Sequence, residues 1–392
     1  MGDPKQTKAR RPIGGASSGT DRRARVLEAH GASAQEAGEL LAYGEASSRW
    51  AEVPAEEKFP LADEPSVAAW QSYADRAPEL GLLESLRRAL IQLRFPVSAG
   101  LSSDDAYLEA TRRGILPPSD TPGLELAEPD GLRLLIHPTP AGHIPVLVAS
   151  AREDFVALVQ TLTCRNEPQP IPDSVGASIV GGYNNWSRVR ALRRRWQREG
   201  GELGQPFARL LQQKELYQDR FVLLSSGPYS GIHAQTLGLS PQRWQELSLT
   251  IRLEHECAHY FTRRVLGSMR NTLHDELLAD YAGLTSAGEP FRSDWFLLFL
   301  GLEDLPRLRS GGRLQSYRGD PPLSDGALAV LARLVQAAAR NLEQADVERG
   351  ARATSLKCRG RRLLGLARLT LEDLASPEGV ALAVVAGDTG SS

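Results

Sequence analysis

Residues 240–267 read SPQRWQELSLTIRLEHECAHYFTRRVLG, the longest helical pattern in the chain. Ser240 is a residue type that caps helix N-termini, and Pro241 suits the first helical position, where its missing N–H costs nothing. Gly267 is typical of the residue that follows the end of a helix, because it readily adopts a positive φ. The stretch therefore predicts one continuous helix over about 25 residues.

Within this helix, residues 255–259 form the pattern His-Glu-x-x-His. Residues four apart lie on one face of a helix, so the imidazoles of His255 and His259 can reach one metal ion. Glu256 would then lie beside the open coordination position, where a water-activating site needs a base. The alternative is a surface helix with two solvated histidines.

A catalytic zinc site uses three protein ligands, so a third must lie elsewhere in the chain. Residues 271–281, NTLHDELLADY, predict a second helix after a turn at Gly267. If that helix returns beside the first, Glu276 faces the histidine pair. Asp280, one turn further on, could accept the second N–H of His255 and orient its ring.

Three neighbours of Glu276 remain alternative ligands. His274 is one or two residues into the helix and is equally well explained as a polar residue of the first turn. Asp275 is predicted to cap this helix together with Thr272. Asp280 could be a ligand instead of an orienting residue.

Residues 240–284 resemble the gluzincin group of zinc metallopeptidases, the thermolysin-like class that combines HExxH with a downstream Glu-x-x-x-Asp helix. The resemblance implies that His255, His259 and Glu276 bind Zn²⁺. It also implies that Glu256 is the general base and that Asp280 orients His255. The separation of 17 residues between His259 and Glu276 is shorter than in thermolysin-like enzymes.

The resemblance also implies a zincin-like core, in which a small sheet lies beside the active-site helix. It implies an antiparallel edge strand that pairs with the substrate backbone, for which residues 221–225 are suitably placed, and a helical subdomain after the third ligand. No downstream His or Tyr clearly matches the family residue that stabilises the transition state. Tyr229, Tyr281 and Tyr317 are the candidate phenol donors, and the sequence does not choose among them.

Beyond this motif, the chain predicts a helix-rich α+β protein. A hairpin is predicted over residues 132–150, and strands over 177–180 and 221–225. The predicted organisation is a disordered basic tail (1–21), a helical N-terminal region (22–126), an α+β zincin-like domain that holds the metal site (127–290) and a helical C-terminal region (291–392).

The composition narrows the class of partners. The 392 residues carry 46 Lys and Arg against 48 Asp and Glu, so no global field attracts polyanions and no nucleic-acid partner is expected. The basic segment 186–198 has an ordinary apolar stripe, which predicts a solvated helix face. The sequence shows no signal peptide and no run long enough to span a bilayer, and its three Cys form no CxxC pair. We expect a cytoplasmic protein without a membrane partner.

Three functions fit this pattern. The first is a zinc-dependent metallopeptidase that acts on a peptide or protein. The second is a non-haem oxygenase that holds Fe²⁺ with the same two histidines and one glutamate. The third is a non-catalytic module in which a metal only ties two helices together, or which binds a partner through the cleft. The sequence contains no information on oligomeric state.

Overall fold

The computed structural model describes residues 16–48, 58–201, 204–267, 273–288, 290–350 and 355–388. The elements in chain order are α1 (Ala16–Ala29), α2 (Ala34–Ser48), α3 (Val67–Leu80), α4 (Leu82–Ala89), α5 (Asp105–Arg113), β1 (Arg133–Thr139), β2 (Gly142–Ala149), α6 (Arg152–Thr163), β3 (Ala177–Asn184), α7 (Trp186–Arg198), α8 (Gln205–Leu210), β4 (Gln218–Ser225), α9 (Pro241–Val265), α10 (Leu273–Ser286), α11 (Ser293–Leu300), α12 (Asp325–Arg349), α13 (Leu356–Ala367), α14 (Leu371–Ala375) and α15 (Gly379–Asp388). The protein is therefore a helix-rich α+β protein, as its sequence predicts.

Helix α9 begins and ends where its capping residues predict. Ser240 Oγ accepts a hydrogen bond from the backbone N–H of Arg243 at 3.2 Å, and Pro241 is the first helical residue. Gly267 adopts a φ of 73° just beyond the last turn. The prediction of one continuous helix is confirmed.

The sheet has four strands in the order β1-β2-β4-β3. Strands β1 and β2 form the predicted antiparallel hairpin, β2 runs parallel to β4, and β3 runs antiparallel to β4. Strand β4 therefore lies inside the sheet, and the prediction that residues 221–225 form an edge strand is wrong. In this sheet the edges are β1 and β3, and β3 carries an irregularity between Gly181 and Tyr183.

The two faces of β4 explain this position. Phe221 and Leu223 pack with α3 and α6 on one face, while Val222 and Leu224 pack with α9 on the other. A strand that is covered on both faces needs an uninterrupted apolar run, which is what FVLL supplies. The run was visible in the sequence, but the order of strands depends on hydrogen bonds to β2, which lies far away in the chain.

The N-terminal helices belong to two different parts of the protein. Helices α1 and α2 bury Leu27 and Leu40 in the core formed by the C-terminal helices, and Arg23 pairs with Glu372 at 3.0 Å. Helices α3 and α4 instead pack with the sheet. Residues 22–126 are thus divided between two cores by these tertiary contacts.

Helix α1 also changes the predicted tail. Residues 16–21 are helical, because they extend a helix that Leu27 anchors in the C-terminal core, so the tail was predicted six residues too long. Residues 1–15 lie outside the described residues. In the part of the chain that is described, no helix combines the length and apolar composition needed to cross a bilayer.

Helices α9 and α10 cross in an antiparallel sense and at very short range. Gly283 lies against Ile251, Asp280 contacts His255, and Asp275 contacts His259, so the numbers of the partners fall along α10 as they rise along α9. A Cβ on Gly283 would lie only 2.7 Å from the carbonyl oxygen of Ile251. The absence of a side chain at Gly283 therefore allows the two helices to approach this closely.

We predict that Gly283→Ala lowers the free energy of unfolding by about 1–3 kcal/mol, because the new methyl group must push α10 away from a rigid backbone atom. The matched control is Gly38→Ala in α2, where an added Cβ meets nothing within 4 Å. That substitution should stabilise by about 0.5–1 kcal/mol, since alanine is the better helix former. Urea unfolding monitored by circular dichroism measures both, and equal effects of the same sign would contradict the close crossing.

Candidate metal centre

Three side chains from α9 and α10 bring their ligand atoms to one point. His255 Nε2 and His259 Nε2 are 3.1 Å apart. Glu276 places Oε2 at 3.6 Å from His255 Nε2 and Oε1 at 3.4 Å from His259 Nε2. The antiparallel pairing of the helices thus brings together the three residues that the sequence predicts as ligands.

These separations suit a tetrahedral ion. Two ligand atoms at 2.0–2.1 Å from a tetrahedral zinc ion lie about 3.4 Å apart. The three observed distances of 3.1, 3.4 and 3.6 Å surround this value. The donor set of two imidazoles and one carboxylate is one that catalytic zinc sites use.

The other nitrogen of each histidine bonds to a buried carboxylate. His255 Nδ1 lies 2.7 Å from Asp280 Oδ1, and His259 Nδ1 lies 3.0 Å from Asp275 Oδ2. A carboxylate accepts and cannot donate, so each Nδ1 atom carries a proton and Nε2 is the nitrogen that is left to bind a metal ion. Carboxylates hold metal-binding histidines in this way.

The consequence is that three acceptor groups converge when the imidazoles are neutral. Two Nε2 lone pairs and the Glu276 carboxylate then face one another at 3.1–3.6 Å. Such an arrangement is repulsive unless a proton or a cation lies between the atoms. Burial opposes the charged form of His259, but Asp275 and Glu276 outweigh it and raise the pKa of His259 well above its usual value. The site therefore attracts positive charge, for which a metal ion competes with protons.

The balance of buried charge leads to the same conclusion. Asp275, Glu276 and Asp280 are all nearly fully buried, and the cation in contact with them among the described residues is Arg313. Burial alone would raise the pKa of Glu276, but His259, His255 and Arg313 lower it instead. A divalent ion bound here would add positive charge beside these buried acids.

Arg313 was not identified from the sequence. It lies in a short 3₁₀ turn, Arg313–Tyr317, and donates to Glu276 Oε2 at 2.5 Å, to Tyr229 Oη at 3.1 Å and to Ser230 Oγ at 3.0 Å. An isolated arginine 37 residues after Glu276 carries no sequence signal of this role. It fixes one oxygen of Glu276 and so limits how that carboxylate can rotate.

Asp275 has a contact that the sequence did not predict. The sequence suggested a helix cap together with Thr272, which lies outside the described residues, so the cap stays a prediction. Asp275 bonds to His259, as Asp280 does to His255 one turn away. The antiparallel register could have indicated this, because the two histidines and these two aspartates are separated by similar distances along their helices.

His274 is not part of the ligand cluster. It is buried and bonds to the backbone of Leu366 in α13, and burial lowers its pKa to about 4. The alternative ligands His274, Asp275 and Asp280 thus have partners or roles outside the ligand triad.

The three candidate tyrosines have separate environments. Tyr229 Oη donates to Asp280 and lies 2.9 Å from His255 Nδ1, on the side of the ring that faces away from the ligand atoms. Tyr281 Oη donates to Asp346 at 2.7 Å and accepts from Arg362. Tyr317 is hydrogen-bonded to Glu276. Of the three phenols, Tyr317 is therefore the one that contacts a predicted ligand, and all three remain predictions as transition-state donors.

Glu256 differs from the buried acids around it. It is partly exposed and, within the described part of the chain, forms no hydrogen bond or ion pair. The carboxylate is therefore available to accept a proton from water or to bind one. This is the state that a general base requires.

A second group of potential ligand atoms lies at another face of α9 and consists of His137, Glu254 and Cys257. Glu254 is already paired with His137 at 3.0 Å and with Arg359. Burial raises the pKa of Cys257 well above its usual value, so the thiol stays protonated. These contacts identify a structural cluster that joins β1, α9 and α13.

We predict that Asp275→Asn weakens zinc binding about 10–100-fold, because the amide cannot accept the His259 proton in the same way as a carboxylate. The matched control is Asp346→Asn, which removes a carboxylate that bonds Tyr281 and no histidine. Competition with a zinc chelator gives both dissociation constants. Unchanged affinity in Asp275→Asn, with the fold intact by circular dichroism, would show that this contact does not support the ligand.

Comparison with known proteins identifies one family. No curated protein and no solved structure matches the chain. A family model described as a family of unknown function (DUF7005) matches residues 25–378, which include α9, α10, the ligand triad and Arg313. Because the match covers most of the chain, the protein belongs to this family of unknown function, DUF7005.

Proposed function

We propose that the protein is a zinc-dependent metallopeptidase. The observation that supports this most strongly is the convergence of His255 Nε2, His259 Nε2 and the Glu276 carboxylate, whose atoms lie 3.1–3.6 Å apart. Glu256 follows the first ligand directly and is free to act as a base. The site was expected to resemble gluzincins, and the donor set, the base and the orienting Asp280 all agree with that resemblance.

The fold is compatible with a zincin-like core. Helix α9 packs against one face of the small mixed sheet. The strand that could pair with an extended peptide is β3, an edge strand antiparallel to its neighbour, in place of β4. Peptide or protein substrates are therefore the proposed partners.

In the proposed reaction, water adds across a peptide bond. A bound Zn²⁺ would supply Lewis-acid chemistry, since it acidifies water and polarises a carbonyl group. Glu256 removes a proton from the attacking water and later delivers it to the leaving amine nitrogen. Asp280 and Asp275 keep the imidazoles oriented, and Tyr317 is the phenol that can donate to the developing oxyanion.

Glu256 also favours hydrolysis over the other two functions. An Fe²⁺ oxygenase uses two histidines and a carboxylate but does not require an adjacent free base. A structural metal site would not need Glu256 either. Among the described residues, Glu256 forms no hydrogen bond or ion pair that would stabilise the fold. The three cysteines are unpaired, which suits the cytoplasm that we propose as the location.

The first test combines metal analysis with substitution of the base. We expect about one zinc per chain, retained in Glu256→Gln and lost in Glu276→Ala. Glu256→Gln should reduce the cleavage of a mixed peptide pool, followed by mass spectrometry, by at least about 10²-fold, because the amide cannot take the proton. The matched control is Glu246→Gln on the same helix, whose side chain is 59% exposed.

Each alternative has its own outcome in this experiment. Iron in place of zinc would favour the oxygenase. Zinc with no cleavage of any peptide in the pool, and no difference between Glu256→Gln and the parent protein, would favour a structural site. Absence of any metal from protein supplied with zinc and iron would reject the metal centre.

The second test separates the tyrosines. Tyr317→Phe should lower kcat about 10–100-fold with zinc content unchanged, because a donor to the oxyanion is lost. Tyr281→Phe is the control, since its hydroxyl bonds to Asp346 and Arg362 away from the ligand atoms. If the two variants retain the same kcat, Tyr317 is only a support for Glu276.

A further inference from the structure

A cavity of about 630 Å³ lies beside the N-terminal half of α9. Its walls come from the start of β3 near Gly176, the turn that follows β4, and Trp244 and Arg252 of α9. Arg252 is one helical turn before Glu256 and therefore shares a face of α9 with it. The cavity therefore reaches a residue one helical turn from the proposed base, and neither Glu256 nor the metal ligands are among its lining residues.

Arg252 is a buried cation that forms no ion pair within the described residues. The residue is only 4% exposed. The acid that attracts it is Glu256, the proposed base one turn further along α9. The Arg252 guanidinium donates to the carbonyl oxygens of Ser225, Gly227 and Pro228 at 2.7–2.9 Å. Burial lowers the pKa of Arg252 to about 10, so the group remains charged at neutral pH.

The hydrogen bonds of Arg252 are only partly satisfied by these contacts. A guanidinium has five N–H donors, and three bonds are made. Three neutral carbonyl groups bind the donors but do not cancel the charge. Burial of a charge is costly unless an opposite charge accompanies it, which suggests that a ligand supplies the missing one.

A second cation lines the same cavity. Arg152 donates to the carbonyl oxygens of Val175 and Pro172, and its nearest acid, Asp173, is 4.0 Å away with a fully exposed side chain. The rest of the wall includes neutral hydroxyl groups, among them the exposed Ser174. Asp173 also lines the cavity, so its two arginines and one aspartate leave a net charge of +1, and the serine hydroxyl groups add hydrogen-bond donors.

We propose that this cavity binds a carboxylate of the peptide substrate, with Arg252 as its counter-charge, beside the bond that Glu256 helps to hydrolyse. The inference rests on the proposed peptidase function for the identity of the ligand. The carboxylate can belong to an acidic side chain or to the C-terminus of the peptide. Arg252 would then have two roles. It would hold the turn after β4 through its hydrogen bonds, and it would determine substrate preference.

Binding of three peptides to the full-length Glu256→Gln protein tests this directly, because that variant should not hydrolyse them. The three peptides are heptamers of otherwise identical sequence. The first has one internal Glu and an amidated C-terminus, and the second has Gln at that position and a free C-terminus. The third has Gln and an amidated C-terminus, so it carries no carboxylate at either place. Isothermal titration calorimetry should show one carboxylate peptide binding at least about tenfold tighter than the peptide with none. The tighter of the two identifies the source of the carboxylate.

The preference should disappear when the cavity receives a second carboxylate beside Asp173. Ser174→Asp should abolish the tenfold difference and raise Tm, while Ser174→Asn, the matched control, should keep the difference. Arg252→Gln should also abolish it, and Ser174→Asp gives the answer if Arg252→Gln does not fold. Equal binding of all three peptides, binding of none, or a preference that survives Ser174→Asp would overturn the proposal.

The failure of this inference can be told apart from failure of the peptidase. Zinc-dependent cleavage of the peptide pool without a carboxylate preference in binding would reject the anion site alone. A carboxylate preference in binding, in a protein that contains zinc and cleaves nothing, would reject the peptidase and leave the anion site in place.

Discussion

The antiparallel contact between α9 and α10 is the constraint on which the rest of the site depends. Gly283 permits it, because any side chain there would collide with the carbonyl oxygen of Ile251. At this distance, Asp280 meets His255 and Asp275 meets His259, each through a direct hydrogen bond. Glu276, between the two aspartates in sequence, then faces both imidazoles. A small change in the helix spacing would disturb all three contacts together.

The site combines strong burial with an excess of acceptors. Each histidine donates a hydrogen bond from Nδ1–H to an aspartate, which directs its Nε2 atom at a glutamate. A fold does not gain stability from burying several acids together unless positive charge accompanies them. The arrangement is reasonable if a divalent cation is part of the working protein. Arg313 and Tyr317 lie in a turn that is distant from Glu276 in the chain, and both form hydrogen bonds to its carboxylate.

Helix α9 separates environments of opposite charge. Near its middle, the ligand face is rich in carboxylates, whereas one turn before Glu256 the buried guanidinium of Arg252 forms no ion pair within the described residues. Glu256 lies on the face that Arg252 shares, and Arg252 is within 5.8 Å of the ring of Tyr229, which in turn contacts His255. Under the proposed function, this helix would hold the metal site, the base and the anion site in a fixed order along a bound peptide.

Several features could be predicted from the sequence because they depend on local chemistry. The caps of α9, the hairpin β1–β2 and the spacing of His255, Glu256 and His259 are of this kind, since neighbouring residues alone determine them. Four other features could not be predicted in the same way. They are the central position of β4, the contact of Asp275 with His259, the hydrogen bond of Arg313 to Glu276 and the hydrogen bond of Tyr281 to Asp346. Each of these joins segments distant in sequence, and their approach depends on how helices and strands pack. The sequence alone thus determined which groups could bind a metal ion, and only the tertiary structure decided which of them meet, because the distances between side chains on separate elements depend on the packing of the whole chain.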